Sequence, residues 1–149
     1  MGLDFGTKRI GVALSDELFL TAQAASCIRC GHSGANMEQI RRICAENSVS
    51  EIVVGLPLNM DGTSSAKTSE TCAFVDLLER SVGIPVRTLD ERLTSVQAEN
   101  VMLEADLSRA KRRKLSDKIA AKFILQSYLD SRAGSGTGSS AADNLPKNG

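Results

Sequence analysis

Apolar and polar residues follow two rhythms along this chain. The first 16 residues read as a tight hairpin. A short apolar strand ends at Asp4, Gly6-Thr7-Lys8-Arg9 forms the turn, and Ile10-Gly11-Val12-Ala13-Leu14 returns. Small and polar residues between two apolar runs are the signature of such a turn. A third strand over residues 24–29 completes a small antiparallel unit, and residues 31–34 break the pattern. A helix then follows, with Asn36 as N-cap and Gln39 at the capping-box distance. Met37, Ile40, Ile43 and Cys44 form its apolar face.

Beyond this point strands and helices alternate. Residues 51–55 (Glu-Ile-Val-Val-Gly) are the short apolar run of a buried parallel strand. A loop over 56–63 leads to a helix over 64–81, with Ala66, Ala73, Phe74, Leu77 and Leu78 expected inward. Residues 84–88 form a further strand, whose proline belongs at its start. Thr94 with Gln97 caps a helix running to about residue 104, and a last helix covers about 112–131. The pattern predicts an α/β fold with a mixed five-stranded sheet, its first three strands antiparallel and the rest parallel, and helices on both faces. One domain over residues 1–131 precedes a disordered Gly/Ser-rich tail over 132–149 with no catalytic role.

Composition narrows the function classes. At 149 residues, with 42% hydrophobic and 24% charged residues, the chain can bury the core of a single domain. No apolar run reaches the roughly 18 residues of a membrane helix, and the N-terminus does not resemble a signal peptide. A cytoplasmic protein with no membrane partner is expected. Net charge is zero, yet Arg109, Lys111, Arg112, Arg113, Lys114 and Lys118 crowd one stretch. That cluster is either a solvated face between helices or, beside an active site, a contact for a phosphate backbone. Cys27, Cys30 and His32 make half a zinc site, but no second ligand pair exists to close it. His32 is the single histidine, so a Ser-His or Cys-His scheme depends on it alone.

Three acids are the candidate chemistry. Asp4 ends a strand beside a tight turn, a position equally suited to a turn-capping aspartate. Glu91, with Asp90 next to it, follows a strand and precedes a helix cap, where a loop acid is favoured by the helix dipole. Asp117, Ala120, Ala121, Ile124 and Tyr128 fall at i, i+3, i+4, i+7 and i+11, placing Asp117 on the apolar face of the last helix. A carboxylate aimed at the core side requires a partner or a cation, unless Ser116 or Asp117 caps a late-starting helix. Converging carboxylates repel one another without cations between them. Oxygen ligands of this kind suit Mg²⁺ or Mn²⁺. Two such ions, about 3.5–4 Å apart, are suited to phosphodiester cleavage.

Four motifs also carry a resemblance. Leu3-Asp4-Phe5-Gly6-Thr7-Lys8-Arg9-Ile10-Gly11-Val12-Ala13, Gly55-Leu56-Pro57-Leu58-Asn59-Met60-Asp61-Gly62, Asp90-Glu91-Arg92-Leu93-Thr94-Ser95 and Asp117-Lys118-Ile119-Ala120-Ala121 stand in the order of the YqgF (RuvX) family. That family is known as Holliday junction resolvases, and the chain resembles it over about residues 1–131. The resemblance implies an RNase H-like fold, with Asp4, Glu91 and Asp117 as catalytic, metal-binding carboxylates. It also implies a role in maturing the 5′ end of pre-16S ribosomal RNA, with a four-way DNA junction as the alternative substrate. Lys8, Arg9 and Arg92, together with Arg112, Arg113 and Lys114, would contact the nucleic acid. Family members usually carry several more residues before the aspartate, so the sequence-based expectation is a start codon assigned too late or a trimmed N-terminus.

Other readings compete with this one. An actin-like phosphotransferase shares the Asp-x-Gly-Thr hairpin but needs two such domains, more than this length supplies. A non-catalytic nucleic-acid-binding module would keep the fold and use its acids only as caps. With no Trp and one Tyr, no aromatic platform for single strands is evident. Recognition by backbone and shape is expected, by a monomer or a homodimer.

Overall fold

The structure is a computed structural model describing residues 1–92 and 109–135, with side chains over 1–92 and 118–134. Among the described residues, strands β1 (Gly2–Phe5), β2 (Arg9–Ser15), β3 (Ala22–Arg29), β4 (Ile52–Leu56) and β5 (Val86–Asp90) form one sheet in the order β3-β2-β1-β4-β5. The first three strands pair antiparallel, whereas β1–β4 and β4–β5 pair parallel. The mixed sheet expected from the sequence is therefore present. Helices α1 (Ser33–Glu46), α2 (Ala66–Val82) and α3 (Arg109–Ser135) complete the described elements.

Strand alternation divides the core between the two faces of the sheet. Leu3, Ile10, Val12, Ile52 and Val54 point to one side, where Met37 and Ile40 of α1 and Phe74, Val75 and Leu78 of α2 cover them. The other side is lined by small residues. Ala13 and Ala22 pack there against Ala121, Leu125 and Leu129 of α3. Gly2 lets this helix settle onto β1, since a Cβ at Gly2 would lie 2.7 Å from Leu125 Cβ and 2.8 Å from the Ala121 carbonyl.

Several boundaries differ from the sequence reading, each for a local reason. α1 starts at Ser33 with His32 as its N-cap, the His32 imidazole accepting from the Ala35 N–H. Asn36 is buried one turn inside, where its side-chain oxygen accepts from Gly31 N at 3.1 Å. α2 is capped by Ser65 in a reciprocal box with Thr68. Its inward face is Thr68, Thr71, Phe74, Val75 and Leu78, while Ala66, Ala73 and Leu77 are exposed. Thr71 can be buried because its hydroxyl donates to the Lys67 carbonyl at 2.9 Å.

β5 begins at Val86 instead of Ile84, with Pro85 just before it. A proline has no N–H for the ladder, but its carbonyl accepts from Ile52 N at 2.9 Å. The shift brings Asp90 into the strand and leaves Glu91 just past its end. α3 continues to Ser135, four residues beyond the expected stop. The expected helix over 94–104, and residues 136–149 of the expected tail, lie outside the described residues.

Candidate active site

The register of β1 fixes the first acid. Leu3 pairs with Val54 of β4, and Asp4 pairs with Gly11 of β2. The next row therefore sets Asp4 beside Gly55 at the C-terminal ends of two parallel strands, the usual place for a ligand in such sheets. Asp4 alternates with core-facing Leu3, so it shares the α3 face with Gly2. It is half-buried there.

Glu91 reaches the same face from β5. Its N–H donates to the Leu56 carbonyl at 3.2 Å, extending the β4–β5 ladder by one bond. The carboxylate then lies over the bare α-carbon of Gly55. A Cβ at Gly55 would come within 2.5 Å of Glu91 Oε2 and still closer to Ile124 Cδ1 of α3. Burial pushes the Glu91 carboxyl above the usual carboxylate range, with the Lys67 ammonium acting in the opposite sense and the Asp90 charge adding a smaller upward push.

Asp90 has a different fate. Its two oxygens accept from Arg92 Nε at 3.0 and 2.8 Å, and Arg92 Nη2 approaches Oδ2 at 2.5 Å. These bonds hold the exposed Asp90 carboxyl below its ordinary value. Of the two neighbouring acids, Glu91 is turned to the face shared with Asp4, and Asp90 is engaged by its own arginine.

α3 runs antiparallel to β1 and β4. Tyr128 donates to Glu51 at the start of β4, Ile124 lies over Gly55 near its end, and Ala121 lies over Gly2. Preceding turns of the helix lead toward the edge carrying Asp4 and Glu91. Position 117 is one turn before Ala121 on the same helical face. The side chains of Asp117, Arg112, Arg113 and Lys114 lie outside the described residues. Among the described residues no cluster of three His, Cys, Asp or Glu side chains is placed to hold a metal. Asp4 and Glu91 offer only carboxylate oxygens, and a desolvated carboxylate such as Glu91 is stabilised by a hard cation. To that extent the donor set fits Mg²⁺ or Mn²⁺.

The basic residues fall into two groups. Lys8 is exposed and Arg9 half-buried at the β1–β2 turn, on the same edge as Asp4. Arg92, expected to contact a phosphate backbone, also serves as a brace within the chain. Besides gripping Asp90, it donates from Nη1 to the Met60 carbonyl at 3.3 Å. The loop it supports is internally bonded, Asn59 N to the Thr63 carbonyl at 2.9 Å and Thr63 Oγ1 to Asp61 at 2.6 Å. Gly62 turns it at φ 87°, in the left-handed region. The Thr68 hydroxyl ties its beginning to α2 by donating to the Pro57 carbonyl.

Two residues at this site escaped the sequence reading. Gly55 looked like the end of a buried strand, and nothing in its motif told that a carboxylate needs the missing side chain's space. Lys67 was not singled out, although its place in the first turn of α2 opposes the helix dipole.

A family model described as RuvX, Holliday junction resolvase, matches residues 1–131. The chain belongs to the RuvX family. A Clostridium kluyveri protein named "Putative pre-16S rRNA nuclease" is 48% identical over 130 residues, covering 87% of this chain and 95% of that protein. A Clostridium botulinum protein of the same name is 47% identical over 131 residues, 88% of this chain and 96% of that one. Two solved structures share the fold of this RuvX chain. One is T. thermophilus RuvC in complex with a Holliday junction substrate, with TM-score 0.55 and 15% identity over 89% of this chain and 94% of that one. The other is Fowlpox virus resolvase with Holliday junction DNA, with TM-score 0.54 and 12% identity over 88% and 96%. The RuvX sheet is thus RNase H-like, as expected.

Proposed function

We propose that this RuvX-family chain is a metal-dependent endonuclease whose site is formed by Asp4, Glu91 and Asp117, and that it processes the 5′ end of pre-16S rRNA. The observation that carries this reading is the half-buried Glu91 carboxylate, seated over Gly55 on the face and edge that hold Asp4. The third acid enters through the helical spacing from Ala121. The substrate follows the names of the Clostridium relatives.

Each residue has a defined part in the chemistry. Asp4 is fixed by ladders on both sides of β1, and Glu91 by its backbone bond to Leu56. Asp4, Glu91 and Asp117 would hold divalent ions, which would supply an activated water and stabilise the leaving oxygen. The protein's share is to hold carboxylate oxygens at one point and to guide the polyanion toward it. Lys8 and Arg9 stand on that edge to receive the backbone, and Arg92 keeps the 57–63 loop in place beside it.

A four-way DNA junction is the second reading, favoured by the description of the matching family. Cutting a junction symmetrically calls for two sites and hence a homodimer. The deciding experiment incubates a precursor-rRNA end and a four-way junction in parallel with Mg²⁺ or Mn²⁺. Cleavage of the rRNA end, abolished by Asp4→Asn and by Asp117→Asn with binding retained, is the expected result. Preferential junction cutting transfers the activity to DNA. Binding without cleavage of either substrate overturns the enzyme reading in favour of a binding module, and cleavage that survives both substitutions overturns the carboxylate site.

A further inference from the structure

Lys67 is a cation in an unusual setting. It stands at the second position of α2, after the Ser65 cap, where the helix dipole disfavours positive charge. Its ammonium is folded over the Phe5 ring, 4.9 Å from the centroid. Phe5 is itself stacked on Phe74 with centroids 4.3 Å apart and planes 8° from parallel. That platform directs the lysine to the end of β1, the strand that carries Asp4. The Nζ atom is shielded from solvent and has no hydrogen-bond partner among the described residues. It also stands close enough to Glu91 for the two charges to interact.

An ammonium has three donors and normally gives them to water or to an anion. Buried without an acceptor, it is held at a cost that the fold does not recover from the aromatic ring alone. Sites that keep such unfavourable groups are commonly those where a ligand completes them. A ligand for this edge must bring an anionic oxygen past the carboxylates.

We infer that Lys67 is a substrate-contacting residue of this site, its ammonium donating to a non-bridging oxygen of the phosphodiester. The inference rests on the nuclease reading for its setting and adds a residue to it. A compact point charge on a flexible stem suits that task, since the shielded ammonium must swing off the Phe5 ring to meet the phosphate. Approaching from the α2 side of the sheet, it would grip the phosphate opposite the acids contributed from the α3 side.

The test compares Lys67→Met and Lys67→Arg with the parent and with Asp4→Asn. Binding of a labelled precursor-rRNA stem is measured in EDTA across a salt series, alongside thermal melting and metal-dependent cleavage. Loss of one phosphate contact lowers the slope of log affinity against log salt by about 0.7–0.9. Lys67→Met should show that loss, melt no lower than the parent, and cut roughly a hundredfold more slowly. Lys67→Arg should restore the slope. An unchanged slope in Lys67→Met overturns the contact. A lower melting temperature in both variants, with the slope unchanged in Lys67→Arg and lost in Lys67→Met only in proportion to unfolded protein, assigns the residue to structure and overturns it as well. Because the slope is read without metal or cleavage, failure of Asp4→Asn to abolish cutting would reject the carboxylate site without touching this result.

Discussion

Glu91 occupies the space that a side chain on Gly55 would need. A Cβ at that position would stand 2.5 Å from Glu91 Oε2 and closer still to Ile124, both of which are held by neighbouring elements. Gly55→Ala should therefore displace the carboxylate, the helix or both. Overpacking of this kind costs about 1–3 kcal/mol. A urea melt should show that loss, and metal-dependent cleavage should fall further than the lost folded fraction explains. Full activity in a destabilised Gly55→Ala would mean that the Glu91 position over the glycine is irrelevant to catalysis.

The neighbours Asp90 and Glu91 should separate cleanly by substitution. Asp90 is engaged by Arg92, which also reaches the Met60 carbonyl. Asp90→Asn should loosen the 57–63 loop and raise KM several-fold with kcat nearly intact, an effect on binding alone. Glu91→Gln should abolish cleavage while leaving substrate affinity in a binding assay little changed. Steady-state kinetics on the two variants decides, and loss of kcat in Asp90→Asn with a fully active Glu91→Gln would exchange their roles.

The buried carboxyl of Glu91 also predicts a pH signature. Its folded pKa lies above that of a free glutamate, chiefly through burial. Between the unfolded and folded values the native state binds the extra proton, so stability falls as pH rises through that window and then levels off. Asp61 and Asp90 shift downward and slope the other way, so the comparison must be with Glu91→Gln. Without metal, the parent should lose stability relative to Glu91→Gln from acid toward neutral pH. Added Mn²⁺ should restore it in the parent only. Parallel pH curves for the two proteins would remove Glu91 from the desolvated site.

Much of this arrangement is legible in the sequence, for physical reasons that differ by residue. Period-two alternation at Leu3, Ile10, Val12, Ile52 and Val54 does place the α1/α2 core, because each residue meets the same face every second step. The spacing of Ala121, Ile124 and Tyr128 likewise marks the sheet-facing side of α3. Tertiary detail is less visible. Thr71 is buried where Ala73 was expected because a hydroxyl bonded to its own helix is as quiet as a methyl. Arg92 also braces the 57–63 loop because Asp90 is two residues away, a pairing that the charge pattern alone does not reveal. The roles of Gly55 and Lys67 depend on what crosses over them from other elements, which no local pattern records.

The far end of α3 offers a last test, of whether the site depends on how the helix is anchored. Tyr128 donates to Glu51 at the start of β4, and the same carboxylate takes Arg132 at 3.2 Å and Arg87 at 3.8 Å. Both arginines are exposed, at 63% and 58%, so these ion pairs are screened and weak. The tyrosine bond is the main polar tie, worth about 1 kcal/mol net. Position along the sheet, however, is set at Gly2 and Gly55, where missing side chains let Ala121, Ile124 and Leu125 approach closely. Such packing is steep and tolerates little sliding. Tyr128→Phe should thus lower stability by about 1 kcal/mol in denaturant melts while cleavage per folded molecule stays at the parent level. A loss of kcat exceeding the loss of folded protein would show that the Tyr128–Glu51 tie, and not the glycine contacts, holds the helix in register with the acids.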